Sequence, residues 1–272
     1  MVKGQTIKKI CAKSYLWLVL LIMYLPILVL IVYSFTVSDQ LGVWTGFSFE
    51  LYKDLFYNES LIEATKNTFI IAIVSAIVST TIGTLGAIGV YYSSKKARKI
   101  VESATQLPVV NAEIVMALSL AILFKSVNTS YSFATLLIGH VVLTVAFVYL
   151  NVKPKLIQMD PNIYEAALDL GATPWYALFK VVLPEILPGI LSGFLISMTL
   201  SLDDFVITQY LKEPSFETIS TYIQKIVAKH PIPPEVRALS TILIVVVFSV
   251  VIGITVYNNK KANKVAKYRR MK

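Results

Sequence analysis

The sequence predicts an all-α integral membrane protein with six transmembrane helices. Three observations carry that expectation. Of 272 residues, 56% are hydrophobic and only 15% charged, where a soluble domain carries about 25% charge. The apolar residues gather into runs near the ~20 residues that cross roughly 30 Å of hydrocarbon. The basic residues fall unevenly between those runs, as they do where short loops face the cytoplasm.

Four runs carry no charge: Ser14–Ser38, Asn67–Ser94, Ser126–Val152 and Ala238–Asn259. Two further spans contain acids, Gln106–Phe124 with Glu113 and Pro188–Tyr210 with Asp203 and Asp204. The first run follows Lys3, Lys8, Lys9 and Lys13, a flank that a signal peptide would share. It lacks a small-x-small cleavage site and is expected to be retained. Placing the N-terminus inside puts Lys95, Lys96, Arg98, Lys99, Lys153, Lys155, Lys180 and the basic tail on the same side. The expected protein is therefore multi-pass, with both termini cytoplasmic. The +9 formal charge then reflects orientation and anionic lipid, and nucleic acid is not needed to explain it. The single cysteine, Cys11, excludes an internal disulfide.

Each span has its own character. Pro26 in the first is tolerated where neighbours re-satisfy the freed carbonyl. The outer segment Asp39–Lys66 has an excess of acids, a charge that draws cations. The second span is rich in Ser, Thr and Gly, with Ala72, Ala76 and Thr80 at four-residue spacing, which lets helices approach closely in lipid. Read as one helix entering near Thr105, the third span puts Glu113 about 12 Å in, where a carboxylate must face protein or water. His140 in the fourth reads as a hydrogen-bonded packing residue. In the fifth, Asp203 and Asp204 stand roughly 22 Å beyond Pro188, on a different level from Glu113 and about 100° apart around the helix. One of the two can face a path while the other caps a local break.

The cytoplasmic segment Asn151–Leu187 is unlike its surroundings. IYEAALDL is helix-competent, Gly171 breaks it, Thr173 can cap a new helix, and Pro174 suits that helix's first turn. Pro184 and Pro188 are expected to end this second helix before the fifth span. Glu165, Ala166 and Ala167 offer a small-residue face for a close protein contact, where a lipid-surface helix wants bulk.

Catalytic patterns are absent from the sequence. There is no GxxxxGK[ST], so no P-loop binding of ATP, and no GxSxG, CxxC or HExxH. The two histidines and one cysteine give no legible metal set.

The spacing Glu165-Ala166-Ala167, Gly171, Val181, Leu183-Pro184 resembles the cytoplasmic motif of the permeases of binding-protein-dependent ABC importers. Valine stands at 181 where that family usually shows isoleucine. LPVVNAEIVMALSLAILF, SLDDFVITQY and PPEVRALSTILI resemble the PotC-like spermidine/putrescine subgroup. The resemblance implies a MetI-like permease fold with a cytoplasmic coupling helix, in which Glu165, Ala166, Ala167, Gly171, Leu183 and Pro184 couple the chain to the ATPase. It implies a PotB-like second permease subunit, two PotA-like ATPase subunits and a separate extracytoplasmic polyamine-binding protein, PotD-like. It also implies that ATP and Mg2+ belong to the ATPase, with no cofactor in this chain and no enzyme activity of its own. Glu113, Asp203 and Asp204 are the candidate translocation-path residues. The expected organisation is an N-terminal span and outer segment (1–66), a permease core (67–257) and a basic tail (258–272). A permease for another small solute, or an ion-driven secondary carrier, remains open at this point.

Overall fold

A computed structural model describes residues 2–38, 42–228 and 233–249, with side chains from Lys13 onward. Contacts divide the chain into two compact units, Met1–Ile62 with Ile226–Lys272, and Glu63–Lys225.

In the first unit, α1 (Val2–Tyr33) runs through Pro26 without ending. A short amphipathic helix, α2 (Glu50–Tyr57), buries Leu51 and Leu55. Residues 235–249 form a further helix, whose Arg237 is buried. Its guanidinium donates to the Ser38 carbonyl at 2.6 Å and the Tyr33 carbonyl at 3.4 Å. A cation thus satisfies acceptors left over where α1 ends. Phe35 stacks on Phe47 at 5.2 Å, and Phe49 and Tyr52 complete the aromatic group.

The second unit is built on three long helices. α3 (Glu59–Tyr91) begins well before Asn67, so much of the segment expected to be an outer loop is helical. Asn58 explains the early start, since its Oδ1 accepts the Leu61 N–H at 3.1 Å, a side-chain cap. α4 (Lys95–Val110) follows, capped by Ser94, and then α5 (Glu113–Ser126). α6 (Phe133–Gln158) carries Pro154 within it. α7 (Asn162–Asp169) and α8 (Pro174–Ala177) are short. A π-helical turn, Leu178–Val182, joins α8 to α9 (Leu183–Asp203). α10 (Val206–Leu211) and α11 (Ile219–Val227) complete the unit.

Small residues set the packing of α6 on α9. A Cβ on Gly189 would lie 2.9 Å from the Asn151 carbonyl, and one on Gly193 3.1 Å from Val148 Cα. These glycines let the two backbones approach as lipid-embedded helices require. Ala87, Val148, Val152, Leu156, Val182 and Ile186 form the core at one end of the unit. Ala117, Phe124, Leu143, Ile207 and Leu211 form another.

Among the described residues, four helices are individually long and apolar enough to cross a membrane: Lys13–Tyr33, Glu59–Tyr91, Phe133–Gln158 and Pro174–Asp203. The pair α4 and α5, bent by 107°, makes a fifth crossing if counted together. The sixth expected span, Ala238–Asn259, runs outside the described residues. This is an all-α, multi-pass membrane protein.

Three expectations need correction. The third span is not one helix, because Asn111 and Ala112 are extended between α4 and α5. Depth counted along one axis therefore does not locate Glu113. Pro184 and Pro188 do not end a helix, because helix continues from Pro174 to Asp203. The π turn makes this possible: the Leu183 N–H bonds back to the Leu178 carbonyl, and Pro184 sits in the first turn of α9, where a missing donor costs least. Finally, the fifth span stops at Asp203, and the chain restarts at Val206.

Candidate functional site

The α9–α10 break gathers polar side chains from four helices. Asp204 has extended backbone (φ −65°, ψ 129°) between the two helices. Its side chain is only 1% exposed, and its oxygens face the start of α10. Oδ1 accepts the Ile207 N–H at 3.1 Å, and Oδ2 accepts the Thr208 N–H at 2.8 Å and the Thr208 hydroxyl at 2.7 Å. A carboxylate spent in this way satisfies the orphan donors of a helix N-terminus. It has little left for a ligand.

His140 of α6 is wholly buried beside it. Nδ1 lies 2.7 Å from Ser201 Oγ, and Nε2 lies 3.1 Å from Thr208 Oγ1 and 3.5 Å from Asp204 Oδ2. The Ser75 hydroxyl of α3 donates to Ser201 Oγ at 3.0 Å. One turn along, Ser79 and Thr144 are bonded at 2.7 Å. The expectation that His140 is a packing residue with hydrogen bonds describes it well. Its link to Asp204 was not legible. Asp204 bonds the start of α10 from one residue before its N-cap, Phe205, a spacing the usual cap pattern does not announce.

The other acids sit differently. Asp203 ends α9 with its side chain exposed, and Glu113 opens α5, also exposed. Glu113 lies within electrostatic reach of both Asp204 and Asp203. The bend at Asn111–Ala112 and the packing of α10 against α5 mean that a count along one helix axis does not separate these acids. Among the described residues no cluster of three or more His, Cys, Asp or Glu could hold a metal ion.

The Glu165–Pro184 segment forms an elbow. Gly171 has φ +89°. The Ala172 N–H bonds the Ala167 carbonyl at 3.0 Å and the Gly171 N–H bonds the Leu168 carbonyl at 2.9 Å, the two bonds of a Schellman ending. Thr173 then caps α8 through the Tyr176 N–H at 3.3 Å, with Pro174 in the first turn. Glu165 and Ala166 are exposed and Ala167 is half-buried. Leu170 is 89% exposed and Trp175 70%. Ala167, Leu170, Gly171, Tyr176 and Val181 border one concavity.

The elbow's other side is anchored. Ile163 and Tyr164 of α7, with Leu178 and Leu183, pack onto the core of α3, α6 and α9. Tyr164 meets Tyr92 with ring centroids 5.4 Å apart. Nearby, Lys153 pairs with Glu102 at 2.7 Å, tying α6 to α4. Arg98 donates to the Tyr91 carbonyl at 3.0 Å and lies 5.6 Å from its ring.

The model of the family described as "binding-protein-dependent transport system inner membrane component" matches residues 4–262. The chain belongs to that family. It is a transport permease subunit of an ABC importer, and not an enzyme. It is closely related to PotC-type permeases. The spermidine/putrescine transport system permease protein PotC of Haemophilus influenzae is 36% identical over 88% of this chain and 93% of its own length. PotC of Escherichia coli is 36% identical over 85% and 87%. The putrescine transport system permease protein PotI of Escherichia coli is 31% identical over 82% and 81%. In fold, the chain resembles a bacterial ABC transporter involved in the import of the acidic polysaccharide alginate, with a TM-score of 0.72 at 14% identity over 94% of this chain and 97% of that one. Such a permease moves a small solute by alternating access, within a complex of paired permeases, ATPase and binding protein. The ion-driven secondary carrier is thereby set aside.

Proposed function

We propose that this permease imports polyamines, spermidine or putrescine, delivered by an extracytoplasmic binding protein of the PotD type. The partners are a PotB-like permease and two PotA-like ATPase subunits, which hold ATP and Mg2+. The observation that carries this reading is that Glu113, at the start of α5, lies within electrostatic reach of Asp203 beside the α9–α10 break, both residues being exposed. A flexible polycation entering there exchanges hydration for carboxylates. The relatives named for polyamine transport support that choice of cargo. The binding protein supplies most of the affinity, because cargo held tightly in the path would not leave. Asp204 serves the path indirectly, by shaping the break from which Asp203 projects.

The elbow is the coupling device of this reading. Glu165, Ala166 and Ala167 offer a close contact to the ATPase, Gly171 makes the turn, and Leu183 and Pro184 carry it into α9. Two features suit force transmission. The outer face, with Leu170 and Trp175, is exposed among the described residues, while Ile163, Tyr164 and Leu178 root the inner face in the core. A displacement at α7 therefore moves packed helices, which respond as units. ATP closure of the ATPase pair opens the path outward, and hydrolysis resets it. In this orientation the elbow and both termini are cytoplasmic.

The test is uptake of labelled spermidine and putrescine by the complete complex in vesicles, with neutral sugars and amino acids as competitors. ATP-dependent uptake that only polyamines compete supports the reading. Competition by a sugar or an amino acid instead would assign another cargo.

A further inference from the structure

The direction of the hydrogen bonds at the α9–α10 break follows from its obligatory acceptor. An ionised Asp204 can only accept. Thr208 Oγ1, 2.7 Å from Oδ2, therefore commits its proton there and is left with acceptor capacity. His140 Nε2, 3.1 Å from that oxygen, must then be the protonated nitrogen. Nδ1 is the acceptor, and the Ser201 hydroxyl at 2.7 Å donates to it. Ser75 donates in turn to Ser201. Asp204, Thr208, His140, Ser201 and Ser75 each have a hydrogen-bond partner with the ring neutral. A charged ring would be buried beside a carboxylate whose oxygens already accept three bonds, a poorly compensated arrangement.

The ring spans the break. Ser201 lies two residues before the end of α9, and Thr208 lies in the first turn of α10. Ile207 and Leu211 of α10 pack against Ala117 and Phe124 of α5, the helix that Glu113 opens. A shift of α10 thus reaches both exposed carboxylates.

We propose that His140, protonated on Nε2, is a positioning residue of the translocation path: it ties the last turn of α9 to the first turn of α10 and so sets where Asp203 and Glu113 stand. This rests on the reading that those two carboxylates meet the cargo. His140 touches no cargo itself. It acts through Ser201, Thr208 and Asp204.

The test compares His140→Gln, which keeps a donor and an acceptor, with His140→Leu, which keeps neither. Both are placed in the complete complex, and labelled-spermidine uptake is measured against ATP turnover at saturating loaded receptor. The leucine variant should lose about tenfold in uptake per ATP, the scale of one or two lost buried hydrogen bonds, and glutamine should restore most of it. The receptor concentration giving half-maximal ATPase stimulation should be unchanged in both. Equal uptake by the two variants overturns the proposal. Asp203→Asn separates the two layers. Normal uptake in that variant removes the path reading, while lost uptake alongside indistinguishable His140 variants removes only the positioning role. A 15N spectrum of the wild-type complex carrying histidine label in this chain alone, whose two histidines are assigned with a His230 substitution, supplies a readout independent of variant assembly. An unprotonated Nδ1 and a protonated Nε2 are expected. The opposite tautomer, or a doubly protonated ring, overturns the assignment.

Discussion

The turns at Gly171 and at Asp204 are of opposite construction. At Gly171 the turn is made by backbone alone. Its φ is +89°, and a Cβ there would meet nothing within 4 Å, so the glycine is required by conformation and not by crowding. Its neighbours Leu170 and Trp175 face outward. At Asp204 the backbone is ordinary, and buried side chains hold the turn: a carboxylate, a threonine, a histidine and two serines from four helices. The first turn offers a surface, and the second keeps an interior geometry. The difference suits one element that must meet another protein and one that must hold groups in place beside a path.

Removing the interior support should give the largest effect. Asp204→Ala leaves the Ile207 and Thr208 amides and the Thr208 hydroxyl without their acceptor, at a cost of about 3 kcal/mol or more, since hydrogen bonds to charged groups are the stronger class. A thermal melt of the purified complex in detergent should show a clear loss. Asp203→Asn, one residue away and exposed, should melt like the wild type. Equal melting of Asp204→Ala and wild type would mean that backbone packing, and not the carboxylate, holds the break.

Two glycine-to-alanine changes sharpen the contrast. Gly189→Ala places a methyl 2.8 Å from Lys155 Cγ and 2.9 Å from the Asn151 carbonyl. Backbone cannot yield as a side-chain tip can, so overpacking should cost roughly 1–3 kcal/mol. Gly171→Ala meets no atom and pays only for the left-handed backbone, about 1–2 kcal/mol. Gly171→Val adds β-branching at the same φ and should also lose the stimulation of ATPase by loaded receptor, which Gly189→Ala need not. Wild-type stimulation in Gly171→Val would detach the elbow's conformation from coupling.

The two turns also differ in how far the sequence reveals them. Gly171, Thr173 and Pro174 are local signals, and the elbow they announce is the one observed. The helix through Pro184 escapes that logic, because the π turn relocates the missing donor to a first turn. The bend at Asn111–Ala112 escapes it too: Pro108 sits inside α4, and the break follows it. The polar junction is illegible for a different reason. Ser75, His140, Ser201 and Thr208 are far apart along the chain, and only the packing of α3, α6, α9 and α10 brings them together. Each residue alone reads as an incidental polar group in an apolar run.

The smallest effect should come from an interaction that is polar, short and exposed. Lys225 donates to Glu217 at 2.6 Å, and that hydrogen bond, followed by the carboxylate's charge, raises the lysine above its ordinary value. A group whose folded value is raised contributes stability below its unfolded value and loses it as pH climbs through the folded one. Any contribution is therefore complete at neutral pH and fades only beyond the ordinary lysine range. The ammonium is fully solvated, however, so ordering two side chains offsets most of the attraction. The Glu217 main chain is held independently: its carbonyl accepts from Asn67 at 3.1 Å, and the Ile219 N–H donates to Thr68 Oγ1 at 2.8 Å. Lys225→Met should accordingly leave both the melting temperature and its pH dependence between 6 and 9 unchanged. A drop comparable to that of Asp204→Ala would show that exposed contacts hold this chain as firmly as buried ones, and the contrast between the two turns would lose its physical basis.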